Sequence, residues 1–221
     1  MSGDAANLPN FPMTERKKFG KFTTSPIVVI VAGGTGGHLY PGIAAARALV
    51  KLGTGWEAVF IVRKGDLGKA LLEREGFRVF ELSGQGWPRR VSLKMFTFPY
   101  KVIAGFCEAW VVLGRLKPQG VMGMGGYLSF PVLISACLRR IPTLIHEQNV
   151  FPGLANRLMG RWVRSIAVSF PESKVNFPTG KAWLSGLPVR PEIGRLSQEE
   201  GWEHFKLARD RLTVLVFGGS Q

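Results

Sequence analysis

Cysteine is scarce: of 221 residues only Cys107 and Cys137 carry a thiol, and no CxxC pair exists. That excludes a disulfide scaffold and fits a reducing compartment. Three histidines beside two thiols are too few for a structural zinc site. The aspartates are Asp4, Asp66 and Asp210, so the chain has no DxD metal–nucleotide motif, and neither metal nor cofactor is expected. Long apolar runs are missing too, because Glu108 interrupts the stretch from Val102 to Leu113. Nothing approaches the ~18 apolar residues of a spanning helix. The opening MSGDAANLPNFPMTERKKFGKFTTSP has no apolar core behind its basic residues, so no secretory signal is expected there.

Acidic residues are short in one region above all. The net charge is +14, and residues 84–170 carry eleven cations (Arg89, Arg90, Lys94, Lys101, Arg115, Lys117, Arg139, Arg140, Arg157, Arg161 and Arg164) against Glu108 and Glu147. Such a field attracts phosphates on nucleic acid, anionic lipid or a small ligand. Nucleic acid has only the charge in its favour, since no recognition motif accompanies it, and is not the expected partner.

What is present is an alternation of strands and helices. IVVIVA at Ile27–Ala32 suits a strand buried on both faces of a parallel sheet. Pro41–Leu52 predicts a helix, Ala58–Val62 a strand, Leu67–Glu75 a helix and Phe77–Leu82 a strand. A long helix follows at Leu93–Leu116, then a strand at Gly120–Met124, a helix at Tyr127–Leu138, a strand at Pro142–Ile145, a helix at Ala155–Trp162 and an extended Ser165–Val168. The fold class is α/β, a Rossmann-like doubly wound parallel sheet. LTVLVFGGSQ at Leu212–Gln221 repeats the pattern of IVVIVAGGTGG, so a second such domain is expected to begin near Leu212. The expected division is a tail over 1–25, a domain over 26–190, and a linker with the start of the second domain over 191–221.

Two glycine-rich turns carry the chemistry. AGGTGGH places Gly33, Gly34, Thr35, Gly36 and Gly37 between a strand and a helix, where backbone N–H groups and the positive helix end suit a phosphate. It is not a Walker A loop, since no GK[ST] follows, and it fails GxGxxG because Leu39 holds the third position. After the second strand come Arg63 and Lys64 where a ribose-binding carboxylate would sit, which disfavours a nicotinamide enzyme. GMGGY at Gly123–Tyr127 forms the second turn, and both should face one crevice. Beside them, His38 suits either a general base near pH 7 or a hydrogen bond to phosphate or loop backbone. The HEQN segment offers Glu147 and Asn149 to polar ligand groups, or holds Glu147 in a structural pairing.

AGGTGGHLYPGIAAARAL, GMGGYLSFP, HEQNVFPGLANRL, GLPVR and FGGSQ, in that order, closely resemble the MurG family. The resemblance runs from about Ile27 to the last residue and implies the N-terminal half of a GT-B fold. It also implies inverting, metal-independent transfer of GlcNAc from UDP-GlcNAc to the C4 hydroxyl of MurNAc in lipid I, for peptidoglycan. Gly33, Gly34, Thr35, Gly36, Gly37, Gly125, Gly126 and Tyr127 would then meet the diphosphate and sugar of lipid I. His38 would be the base or a sugar contact. Thr35, Gly36, Gly37, Asn149, Arg190 and Ser220 would meet UDP-GlcNAc. Leu187 stands where the family's motif has Asn. Trp87, Arg89, Arg90, Lys94, Phe96, Phe98 and Lys101 would dock the chain on the anionic inner face of the plasma membrane. Since the family's uridine pocket lies in its second domain, the polypeptide is expected to bind acceptor lipid and membrane but to turn over poorly alone, as a fragment or as one subunit of a split transferase.

Overall fold

A computed structural model describes residues 25–53, 55–84 and 94–216, with side chains omitted for 94–99. Seven strands form one wholly parallel sheet: β1 (Ile27–Val31), β2 (Glu57–Arg63), β3 (Arg78–Leu82), β4 (Gly120–Gly123), β5 (Thr143–Glu147), β6 (Ser165–Val168) and β7 (Ala182–Leu184), in the spatial order β3-β2-β1-β4-β5-β6-β7. The helices are α1 (Gly36–Lys51), α2 (Gly68–Arg74), α3 (Lys94–Leu116), α4 (Ser129–Leu138), α5 (Leu154–Met159) and α6 (Gln198–Phe205). The Rossmann-like doubly wound reading is borne out.

The continuous apolar strands are explained by two cores, one on each face. Val29, Val31, Val59, Ile61 and Val121 pack with Leu113, Val132 and Leu133 of α3 and α4. Ile30, Phe60, Val62 and Met124 pack with Ile43 and Leu72 of α1 and α2. Each central strand buries alternate residues against opposite layers, so no polar face exists to be read. β1 pairs with β2 on one side and β4 on the other, and the order reverses there. Ligands of open α/β sheets bind outside the carboxyl ends of the strands at such a point.

Several boundaries differ from the sequence reading. α1 begins at Gly36, not Pro41, and so contains Pro41 in its second turn. Proline has no N–H to donate to the Gly37 carbonyl one turn back, which is why it reads as a start signal. The helix nevertheless reaches the glycine loop, with Thr35 as its extended N-cap. β5 runs on to Glu147, which puts His146 and Glu147 in the sheet, whereas α5 stops at Met159. β7 and α6 carried no sequence expectation, although Ser197 and Glu200 form a capping box that announces α6. Leu212–Val216 forms no strand among the described residues and is exposed throughout, while Phe217–Gln221 lie outside the described residues.

Glu108, the residue that breaks the apolar run, ties α3 to the sheet: it takes Lys64 Nζ at 2.7 Å and Ser83 Oγ at 2.9 Å. At the other margin, residues 186–192 pass from β5 to α1. His146 Nε2 donates to the Gly186 carbonyl at 3.1 Å, Arg190 stacks on Tyr40 at 4.5 Å, and Glu192 pairs with Arg47 at 3.0 Å while Arg47 also grips Glu75.

Candidate functional site

The carboxyl ends of β1 and β4 open into the two glycine turns. Gly34 sits at φ +84° and Gly125 at φ +96°, backbone conformations that side chains with a Cβ rarely adopt. A Cβ on Gly126 would stand 3.7 Å from the Gly33 carbonyl, so the turns lie against each other across the switch point. Gly33, Gly34, Gly125, Gly126 and Tyr127 line one hollow together with Val31, Ala32, Arg63 and Leu128.

His38, in the first turn of α1, is held at the same place. Its Nδ1 lies 3.1 Å from the Thr35 hydroxyl. A Cβ on Gly125 would fall 2.9 Å from His38 Cδ2 and 3.0 Å from Nε2, so the ring edge rests on the second glycine turn and needs a glycine there. In the tautomer that carries its proton on Nδ1 and donates it to Thr35, Nε2 keeps its lone pair beside Gly125. Burial lowers the His38 pKa from its ordinary 6.5, and the charge of Glu147 opposes this more weakly. The neutral imidazole, the form that accepts a proton, is therefore the resting state at pH 7.

Behind it stands a buried polar network on β5 and α5. Glu147 is 1% exposed, and its carboxyl oxygens accept from the Asn149 backbone at 2.9 Å, the Asn149 amide at 3.1 Å, the Gly153 backbone at 3.2 Å and the Asn156 amide at 2.8 Å. Such a set fixes the loop after β5. Gln148 donates to the Met124 carbonyl at 2.8 Å and so ties that loop to the second glycine turn. Burial lowers the His146 pKa as well, and its tautomer follows from its partners: Nε2–H to Gly186, with Nδ1 accepting from Gln148 at 3.2 Å.

The structure thus brings together Gly33, Gly34, Gly125, Gly126, Tyr127, Thr35 and His38, with Gly36 and Gly37 opening α1. Asn149 turns its amide to Glu147, and Arg190 lies on Tyr40 at the margin. Leu187 is half exposed beside it. Trp87, Arg89, Arg90 and Ser220 lie outside the described residues, as do the side chains of Lys94, Phe96 and Phe98; Lys101 is exposed on α3.

One residue of the site carried no expectation from the sequence. An acidic residue does follow β2: Asp66 Oδ2 accepts the Gly34 N–H at 2.7 Å, and Oδ1 accepts the Gly68 N–H at 2.9 Å. It holds the glycine loop. It lies three residues beyond the end of β2, and the turn at Gly65 (φ +73°) brings it back to the loop.

Comparison with known proteins places these features in context. The family model described as the glycosyltransferase family 28 N-terminal domain matches residues 28–168. The UDP-N-acetylglucosamine–N-acetylmuramyl-(pentapeptide) pyrophosphoryl-undecaprenol N-acetylglucosamine transferase of Desulfitobacterium hafniense (strain Y51) is 41% identical over 195 residues, 88% of this chain and 53% of its own. The protein of the same name from Thermoanaerobacter sp. (strain X514) is 40% identical over 194 residues, 87% of this chain and 53% of its own. The chain therefore spans about half the length of the curated relatives it matches. Among solved structures, MurG of Acinetobacter baumannii superposes with a TM-score of 0.62 at 26% identity, covering 75% of this chain and 46% of that one. The UDP-GlcNAc 2-epimerase of Neisseria meningitidis superposes with a TM-score of 0.54 at 17% identity, covering 73% and 46%, and shares the fold alone.

Proposed function

The chain belongs to glycosyltransferase family 28, and from that premise we propose that it supplies the acceptor side of a transferase that moves GlcNAc from UDP-GlcNAc to the C4 hydroxyl of the MurNAc in lipid I. The observation that carries this reading is the convergence of both glycine turns on His38. A lipid-linked sugar diphosphate places an anion and a hydroxyl a few ångströms apart. The turns offer backbone dipoles to the anion, and the His38 Nε2 lone pair meets the hydroxyl. The oxygen attacks C1 of GlcNAc from the face opposite the departing UDP, its proton passes to His38, and the C1–O bond to UDP breaks with its electron pair leaving on the diphosphate. One displacement inverts the anomeric carbon. Arg190 and the Ser220 loop would meet UDP.

The test is a pair of titrations on the polypeptide itself. We expect saturable binding of detergent-solubilised lipid I and at least tenfold weaker binding of UDP-GlcNAc. Tight UDP-GlcNAc binding with none of lipid I would overturn the assignment of sides.

The same reading puts the protein on the anionic inner face of the plasma membrane. No helix among the described residues is long and apolar enough to cross a membrane. Along α3, Tyr100, Ile103, Cys107 and Trp110 recur at three- to four-residue spacing and all are exposed. Arg139 stacks on Trp110 at 4.0 Å, and Arg140, Arg164 and the exposed Trp162 line a hollow near the amino ends of β5 and β6. Aromatics and cations together suit the headgroup layer. Arg140→Gln is expected to weaken binding to phosphatidylglycerol vesicles about fivefold, the worth of one cation near such a surface. Equal binding to phosphatidylcholine vesicles would count against the lipid reading.

A further inference from the structure

Arg63, the last residue of β2, plays no part in the reaction as described above. It lines the hollow between the glycine turns, together with Gly33, Gly34, Gly126 and Tyr127. Its Nε is buried and without a hydrogen-bond partner among the described residues, while the residue as a whole is half-buried. Neighbouring cations on this margin are matched: Lys64 by Glu108 at 2.7 Å, Lys69 by Glu81 at 2.7 Å, Arg78 by Glu57 at 3.1 Å. Asp66 makes no pair with it; its oxygens accept the Gly34 and Gly68 N–H groups.

Two consequences meet at this point. The Gly34 N–H is spent on Asp66, so the first turn has one donor fewer for an incoming anion. A buried guanidinium N–H without an acceptor is costly until one arrives. A diphosphate entering the hollow supplies that acceptor, and its oxygens match the planar fork of arginine better than a lysine point charge. We propose that Arg63 recognises the diphosphate of the acceptor, bridging the two glycine turns in place of the N–H that Asp66 has taken. The assignment of this diphosphate to the acceptor rests on the function proposed above; the anion site itself does not.

The test is calorimetric titration of the full chain with inorganic pyrophosphate, farnesyl diphosphate and UDP. Wild type is compared with Arg63→Gln, Arg63→Lys and, as a control distant from the hollow, Arg115→Gln on α3. Thermal unfolding of each variant separates lost affinity from lost fold. We expect Arg63→Gln to weaken pyrophosphate and farnesyl diphosphate tenfold or more, Arg63→Lys to recover part of the loss, and Arg115→Gln to match wild type. Unchanged affinity in Arg63→Gln, or no pyrophosphate binding by wild type, would overturn the proposal. UDP binding as tight as farnesyl diphosphate, and equally dependent on Arg63, would overturn the assignment to the acceptor. Arg63-dependent pyrophosphate binding without lipid I binding sinks the acceptor reading and leaves the anion site standing. Lipid I binding untouched by Arg63→Gln sinks Arg63 and leaves the function standing.

Discussion

Replacing His38 by alanine is expected to lower kcat by about 10²-fold or more, the usual worth of a positioned general base. The assay is run on this chain joined to the donor-side half of a curated relative. Lipid I affinity should change far less than turnover, because the glycine turns that would hold the diphosphate remain. The pH profile gives a second readout. A base whose pKa is depressed below 6.5 by burial works in its neutral form, so the rate should hold through neutral pH and fall as pH drops through the lowered pKa. In His38→Ala that acid limb should vanish along with the rate. Turnover near that of the parent, or an unchanged acid limb, would remove His38 from the role and leave it a structural partner of Thr35.

Glu147→Ala is expected to be the most destabilising single change in the site. The substitution leaves two backbone N–H groups and two side-chain amides, on Asn149, Gly153 and Asn156, without their acceptor in a region where Glu147 and Asn156 are each 1% exposed. An unsatisfied buried donor costs ~1–3 kcal/mol, so the loss should be about 3 kcal/mol or more even with some relaxation and water entry. A domain of ordinary stability has only ~5–15 kcal/mol to lose. The measurement is the urea midpoint at constant m-value, with amide exchange at Asn149 and Gly153 accelerated in the same variant. Glu147→Gln, which keeps one acceptor oxygen, should fall between the two. A midpoint within error of wild type would show that water replaces the carboxyl without cost.

How much of this was legible beforehand differs from place to place for physical reasons. The central strands could be read because burial on both faces removes every polar residue from Ile27–Val31 and from Ala58–Val62. The pairing of the two glycine turns could be read because parallel strands deliver their carboxyl ends to one side of a sheet. Pro41 misled because its chemistry marks helix starts, and only the geometry reveals that α1 tolerates it in the second turn. Asp66 was invisible because its importance lies in two backbone N–H groups, which leave no trace in side-chain identity. The length of β5 was underestimated because His146 and Glu147 are polar. Their hydrogen bonds to Gly186 and to the loop over 149–156 let them stay buried, and no periodicity records such partners. Arg63 was noticed in the sequence only as an obstacle to another ligand, since a cation without a counter-ion is defined by what fails to surround it.

The stretch over 186–192 is tied to β5 through the Gly186 carbonyl and to α1 through the Arg190–Tyr40 stack and the Glu192–Arg47 pair. Mechanically this is a splint: one fastener holds the departing chain to β5 and two hold it to the helix whose first turn carries His38. The residues up to Glu192 are thereby fastened to the sheet and to the helix that covers it. Whatever tugs on the polypeptide further along has its lever arm anchored on α1, one rigid rod away from the imidazole.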